Sequence, residues 1–207
     1  MDIYKFQTDV HKNACEHGWW EEERTPEEIY ALIHSEWSEA LEEYRVGRPM
    51  VWHGCADLEE ALFEGCGKNK ICTMVFPCAY REQKPEGIAV ELIDGCIRIL
   101  DYLGKLDVKL ERTETIEQLE HGAPDMDYIN MPLPTMVSYL HFTTSRAMQA
   151  LAENDGESNR DEVAHLYAAA AMVCAWVKAQ GFDPEAILMA KHLYNLTRPY
   201  KHGGKVI

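Results

Sequence analysis

Apolar residues recur every three or four positions along most of this chain, which is the spacing of amphipathic α-helices. The spacing predicts helices over about 2–17, 25–45, 86–103, 134–153 and 160–180, and a last helix that starts at "DPEAI" and fades near "TRP". Weaker patterns predict an acidic helix over 107–120 and a short helix near 57–64. Few segments alternate with period two, so the sequence predicts an all-α fold. We expect one domain over 1–207, with an irregular insertion at about 46–85.

The second predicted helix has clear boundary signals. In "TPEE", Thr25 is placed as the N-cap, Pro26 occupies the first helical position, and Glu28 completes a capping box. The periodic pattern continues to about Arg45 and stops near "VGRP". The first helix is expected to end at Gly18, because glycine commonly follows the last helical turn.

The charge and the apolar runs exclude two classes of partner. The chain of 207 residues has a formal net charge of −15, which disfavours binding to a nucleic acid polymer. The longest nearly continuous apolar stretch, 168–177, is shorter than the roughly 18 residues of a membrane span. The first residues lack the apolar segment of a signal peptide. We therefore expect a soluble, cytoplasmic protein with no membrane partner.

The seven cysteines favour reduced thiols, because their number is odd and no export signal accompanies them. Four of them are clustered in the insertion: Cys55, Cys66, Cys72 and Cys78. Their spacing lacks the close CxxC pairs of a zinc ribbon. Small buried thiols are the preferred interpretation, with a zinc site as the alternative.

An acidic pair lies on or beside the face of the second helix that is expected to be buried. On a helical wheel the buried arc is marked by Ile29, Ile33, Trp37, Ala40 and Tyr44. Glu36 falls inside the edge of this arc, and Glu39 lies beside it because residues three apart share a face. An ionised carboxylate placed there costs several kcal/mol unless it is paired or binds a metal ion.

A second acidic pair, Glu91 and Asp94, stands three residues apart in the helix over 86–103. Together with Arg98 and Asp101 it could simply form a solvated stripe of that helix. The alternative is that two facing helices direct four carboxylates to one point. Oxygen ligands of this kind suit Mg²⁺, with Mn²⁺ as a second choice.

The two acidic pairs, "EWSE" (36–39) and "ELID" (91–94), resemble the signature of the MazG-like all-α nucleoside triphosphate pyrophosphohydrolases, a superfamily that includes dimeric dUTPases. "HKNACEHGWW" and "KHLYNLTRPYKHGGK" add to the resemblance. It implies an antiparallel four-helix bundle core with additional helices, and Mg²⁺-dependent hydrolysis of a (deoxy)nucleoside triphosphate to the monophosphate and pyrophosphate, as in nucleotide-pool housecleaning. It also implies Glu36, Glu39, Glu91 and Asp94 as metal ligands, with Glu36 or Glu39 as the general base.

The C-terminus is the basic end of the chain. Lys191, Asn195 and Arg198 follow at steps of four and three, so they share one side of a helix. Lys201, His202 and Lys205 extend this basic set, which suits a triphosphate. The alternative is an ordinary basic C-terminus favoured by the helix dipole.

By the same resemblance, residues near the start of the chain contact the nucleobase. His11, Asn13, Trp19 and Trp20 are the candidates. Neighbouring residues do not share a face, so at most one tryptophan is expected to stack on a base. The resemblance further implies a homodimer or a higher homo-oligomer.

A faint internal repeat aligns "LIHSEWSEAL" with "LHFTTSRAM" and pairs His34 with His141. In this register Glu36 becomes Thr143 and Glu39 becomes Arg146, so the second half would be a degenerate duplication that lost its acids. A chance match of two amphipathic helices is the alternative, and the histidines themselves are interpreted as structural.

Two rival functions stay open. Glu162 and His165 form an ExxH pair, one part of a di-iron carboxylate bundle. A non-catalytic nucleotide-binding or interaction protein is the other alternative, because the insertion could cover the site.

Overall fold

The computed structural model describes residues 2–53, 84–108 and 128–201. In these ranges six α-helices provide nearly all of the regular structure, and the predicted all-α fold is confirmed. They are α1 (Ile3–Glu16), α2 (Pro26–Arg45), α3 (Ile88–Lys105), α4 (Leu133–Ala152), α5 (Arg160–Ala179) and α6 (Pro184–Leu196), with a 3₁₀ turn at Tyr128–Asn130. None of these described helices has both the length and the apolar character needed to cross a membrane.

Some sequence predictions fall on other parts of the chain. The helix near 57–64 and nearly all of the helix over 107–120 lie outside the described residues, and residues 107 and 108 are not helical. The four clustered cysteines at 55, 66, 72 and 78 also lie outside them. Among the described cysteines, Cys96 and Cys174 are buried thiols, whereas Cys15 is exposed.

The start of α2 follows its local sequence. The Thr25 hydroxyl accepts the backbone N–H of Glu28, and the Glu28 carboxylate accepts the N–H of Thr25, so the predicted capping box is present. The helix ends at Arg45, as predicted. Its buried face includes Glu36, but the prediction that Tyr44 belongs to this face is wrong, because that side chain is 48% exposed near the helix end.

A short β-ladder precedes α3 and explains why this helix starts later than the predicted residue 86. Strand β1 (Trp52–His53) pairs with antiparallel strand β2 (Pro85–Glu86), so residue 86 is extended. Gly87 then turns the chain with a φ of 114°, and a Cβ there would lie 2.7 Å from the carbonyl oxygen of Pro49. The ladder joins the two described ends of the insertion beside the start of α3.

Helix α3 is the central element. It packs against α1, α2, α5 and α6, and most of its residues are buried. It runs antiparallel to α2, because Tyr30 contacts Tyr102 near one end of the pair and Trp37 contacts Gly95 further along. This packing places the acidic residues of α2 and α3 on facing surfaces.

Helices α2 and α4 meet through two polar contacts. The Nδ1 atoms of His34 and His141 lie 2.8 Å apart, with ring planes only 10° from parallel. One turn along, the Trp37 indole N–H donates to the Thr144 hydroxyl at 3.0 Å. The two histidines that were interpreted as structural therefore pair with each other across the helix interface.

The end of the described chain packs on the loop between α1 and α2. The backbone N–H of Lys201 donates to the His17 carbonyl at 3.0 Å, and the Tyr200 hydroxyl donates to the Glu21 carboxylate. These contacts hold the segment after α6 beside the residues that follow α1, and Arg198 lies within this segment.

Candidate active site

Three of the four predicted carboxylates converge. One oxygen each from Glu36 on α2 and from Glu91 and Asp94 on α3 lie within 4.8 Å of one another. The first two residues are each only 6% exposed, and the Asp94 side chain is 16% exposed. We call these three residues the acidic cluster.

Glu39 lies outside the acidic cluster. Its side chain is exposed, and one carboxylate oxygen accepts a hydrogen bond from the Ser35 hydroxyl at 2.9 Å. The difference from Glu36 is rotational, because three residues along a helix turn the side chain about 60° away from the face that meets α3. Glu39 is still close enough for its charge to contribute to the raised pKa of Glu36.

Two carboxyl groups of the acidic cluster have raised pKa values. Burial raises the pKa of Glu36 to about 7 and that of Glu91 to about 7, and the neighbouring carboxylates add to both increases. Carboxylates that are removed from water and crowded together favour a proton or a divalent cation. Three carboxylate oxygens at this spacing fit a hard cation such as Mg²⁺, which prefers oxygen ligands.

Two basic side chains neutralise part of this negative charge. The Lys191 ammonium lies 2.6 Å from the Asp94 carboxylate and is 1% exposed. The Arg98 Nε–H donates to the Glu36 carboxylate at 2.9 Å. Lys191 was predicted to hold phosphate, and in this structure it pairs with a carboxylate of the acidic cluster instead.

A cleft opens above the acidic cluster. Its walls carry three guanidinium groups, from Arg24, Arg98 and Arg198. Burial, and next the Arg98 charge, lower the pKa of Arg24; burial also lowers that of Arg198, with a smaller contribution from Arg98. Like charges held together in this way favour binding of a polyanion.

The cleft also contains two amide oxygens without partners. Oδ1 of Asn13 and Oδ1 of Asn195 are shielded from solvent, and neither has a hydrogen-bond partner. Trp19 lines the same cleft, and the Arg24 guanidinium lies 5.0 Å above its ring. Buried polar atoms are normally satisfied, so each of these two amide oxygens could accept a hydrogen bond from a donor group of a ligand.

Asp101 binds the rings of His11 and Trp20, the other two residues predicted to contact the base, and this role of Asp101 was not predicted. Asp101 accepts His11 Nδ1–H at 2.8 Å and the Trp20 indole N–H at 2.9 Å through the same oxygen. Among the described residues lining the cleft, Asp101 is present and these two rings are not. His11 and Trp20 therefore lie behind the cleft wall.

The remaining predicted basic residues lie elsewhere. The Lys201 ammonium is 3.7 Å from the Glu22 carboxylate, at the loop between α1 and α2. His202 and Lys205 lie outside the described residues. Of the predicted set at this end of the chain, the described residues Asn195 and Arg198 line the cleft, while Lys191 lies beneath it.

The interpretation of α3 as carrying a solvated polar stripe is wrong. Asp94, Arg98 and Asp101 line the cleft, and Glu91 lies beneath it in the acidic cluster. Their spacing of three, four and three residues was the available signal, since it places all four on one face. Arg24 had no such signal, because it precedes α2.

The ExxH pair does not build a second metal centre. Glu162 is fully buried, and one of its oxygens accepts hydrogen bonds from Tyr30 at 2.8 Å and Tyr102 at 3.0 Å. Within the described ranges, the acidic cluster is the one group of three or more His, Cys, Asp or Glu side chains close enough to share an ion. Glu162 thus takes part in a tyrosine-bonded polar core.

No protein-family model, no curated protein and no solved structure matches this chain.

Proposed function

We propose that the chain is a Mg²⁺-dependent nucleoside triphosphate pyrophosphohydrolase. The observation that supports this function best is the convergence of Glu36, Glu91 and Asp94 beneath a cleft with three arginines. A cation site directly below an anion site is the arrangement that a metal-bound triphosphate requires. The MazG-like resemblance supports the same activity.

In this proposal the acidic cluster holds Mg²⁺, which supplies charge neutralisation of the triphosphate and acidification of a water molecule. The arginines orient the phosphates. The water oxygen bonds to the α-phosphorus. The bond between this phosphorus and the oxygen that bridges the α- and β-phosphates breaks, and pyrophosphate leaves. The water proton passes to a carboxylate; Glu36 and Glu39 are the candidate bases, and Glu36 is the one that lies in the acidic cluster.

We infer a pseudo-twofold relation between α2–α3 and α4–α5, which corresponds to the bundle of the MazG-like type. The contacts His34 with His141 and Trp37 with Thr144 support it, because both join residues 107 positions apart, the offset of the sequence repeat. Around a twofold axis, equivalent residues meet each other. The second half would then act as a packing partner for the acid-bearing half.

Incubation with each common ribo- and deoxyribonucleoside triphosphate and Mg²⁺, followed by product analysis, tests the activity. Monophosphate and pyrophosphate in equal amounts are the expected products. Diphosphate with orthophosphate would contradict the proposal. Binding without turnover would instead favour a nucleotide-binding protein.

Substitutions then locate the activity. Asp94→Asn should reduce turnover by a factor of at least about 100, since it removes a metal-binding charge. Glu39→Gln should have a smaller effect if Glu36 is the base, and an equally large effect if Glu39 is the base. Glu42→Gln is the matched control, because Glu42 lies on the same helix and pairs with Arg45 on the surface.

A further inference from the structure

We propose that Arg98 has two alternative partners: it neutralises Glu36 in the metal-free chain, and it binds the polyphosphate once a divalent cation binds that carboxylate. We call this the reserve role of Arg98. This inference rests on the proposed function. It adds a regulatory property to the same site, because the metal ion and the triphosphate would bind cooperatively.

The position of Arg98 between Glu36 and the cleft supports this role. Its Nε–H donates to Glu36 at 2.9 Å, and its side chain also lines the cleft, where it is one-third exposed. A guanidinium has five N–H donors, and the bond to Glu36 uses the one on Nε. A small rotation of the side chain would exchange a carboxylate for a phosphate, and both suit the planar donor fork.

The surroundings indicate that the cleft takes a ligand. Besides the three arginines, Asn13 and Asn195 line the same space, and the amide oxygens of both are unpartnered. Arg24 provides the contrast with Arg98. It lines the cleft and stacks on Trp19, and its electrostatic partners do not include any member of the acidic cluster. Arg24 is therefore available to an anion whether or not a metal ion is bound.

Calorimetric titration with inorganic tripolyphosphate tests the reserve role without depending on the nucleobase. Wild type, Arg98→Gln and Arg24→Gln are compared in EDTA and in saturating Mg²⁺. In EDTA, Arg98→Gln should weaken binding by less than about threefold, and in Mg²⁺ by at least about tenfold, as expected when a charged hydrogen bond is lost. Arg24→Gln should weaken binding by the same factor in both conditions.

A second measurement omits phosphate. Mn²⁺ binding followed by electron paramagnetic resonance should be several-fold tighter in Arg98→Gln than in wild type, because the competing guanidinium is gone. It should be unchanged in Arg24→Gln. Arg98→Lys retains the charge but loses the donor fork, so we expect an intermediate tripolyphosphate penalty in Mg²⁺. This variant carries the test if Arg98→Gln does not fold by circular dichroism.

The outcomes separate the two proposals. An Arg98 penalty that is equal with and without Mg²⁺, or Mn²⁺ affinity in Arg98→Gln no higher than in wild type, would overturn the reserve role alone. Wild-type protein that binds no tripolyphosphate in either condition would overturn both the reserve role and the proposed function.

Discussion

Replacing Gly95 with alanine tests whether the α2–α3 contact positions the acidic cluster. A Cβ at this position would lie 2.2 Å from Cζ3 of Trp37, about 1.2 Å short of the closest ordinary contact of 3.4 Å. Trp37 cannot easily move away, because it is fully buried and its indole N–H is bonded to Thr144. The helices themselves must therefore separate.

Two opposing terms decide the sign of the stability change. Helix propensity alone favours alanine over glycine by about 1 kcal/mol. Overpacking of a closed core costs roughly 1 to 3 kcal/mol, and an overlap above 1 Å belongs at the upper end. We expect Gly95→Ala to lower the free energy of unfolding by about 1 to 2 kcal/mol, which reduces Tm by roughly 3 to 6 °C in a chain of this size.

The effect on activity should exceed the effect on stability. Glu36 is adjacent to Trp37, so separation of the helices moves its carboxylate away from Glu91 and Asp94, and a 1 Å displacement can cost about 100-fold in rate. Thermal unfolding and turnover are measured on the same sample. A variant that is as stable as wild type and hydrolyses at the wild-type rate would refute the packing argument.

A double-mutant cycle separates the clash from other causes. Trp37→Phe removes the benzo ring that the new methyl group would strike. In the Trp37→Phe background, Gly95→Ala should therefore cost less than in wild type, with a coupling energy of at least about 0.5 kcal/mol. Equal costs in both backgrounds would show that the methyl group does not act through Trp37.

Three further predictions concern titration and buried polar groups. The folded pKa values of Glu36 and Glu91 are raised to about 7, so the folded metal-free chain keeps protons that the unfolded chain has lost, and these groups reduce stability as pH rises from about 5 to above 7. The increase in Tm on adding Mg²⁺ should therefore be larger at pH 8 than at pH 6. An equal increase at the two pH values would contradict this. Glu162→Gln retains an oxygen acceptor for the two tyrosines, so denaturant unfolding should show a small change, whereas Glu162→Ala should cost about 2 to 4 kcal/mol because it leaves both hydroxyls unsatisfied; similar losses in the two variants would argue against this role. Burial lowers the pKa of His34 and of His141, so stability should fall as pH drops below their ordinary value of 6.5, and His141→Gln should reduce that acid sensitivity in urea titrations at pH 5.5 and 7.5.

The boundaries of α2 could be predicted because every signal is local. Thr25, Pro26 and Glu28 specify the start through bonds within four residues, and the observed helix begins and ends at the predicted positions. The start of α3 was placed two residues early because the competing structure is nonlocal. Strand β2 pairs with β1, which lies more than 30 residues away in sequence, and no helical periodicity reports such a partner.

In the candidate site, too, the features set by local sequence could be predicted and those set by nonlocal contacts could not. The acidic pairs were found by their three-residue spacing, and Glu36 by its place on a buried face. Excluding Glu39 required the rotation of α2 against α3, which is set by the packing of Trp37 on Gly95. The pairing of Lys191 with Asp94 joins α6 to α3 across almost 100 residues, so spacing along one helix could not predict it.

Charge balance connects the acidic cluster to the cleft. With every carboxylate ionised, the acidic cluster and Asp101 carry four negative charges, and Lys191 and the three arginines carry four positive charges, so these groups sum to zero.

A triphosphate adds roughly four negative charges near neutral pH, so the bare anion would bring the site to about −4, with buried carboxylates close to the phosphates. One or two Mg²⁺ ions would return the total to between about −2 and 0. In the proposed mechanism the metal ion also takes over Glu36, so Arg98 would become available to the phosphates at the point where the anion needs it. On this proposal, the groups that balance the charge of the metal-free site also make triphosphate binding dependent on the metal ion, because the site approaches neutrality only when it holds both or neither.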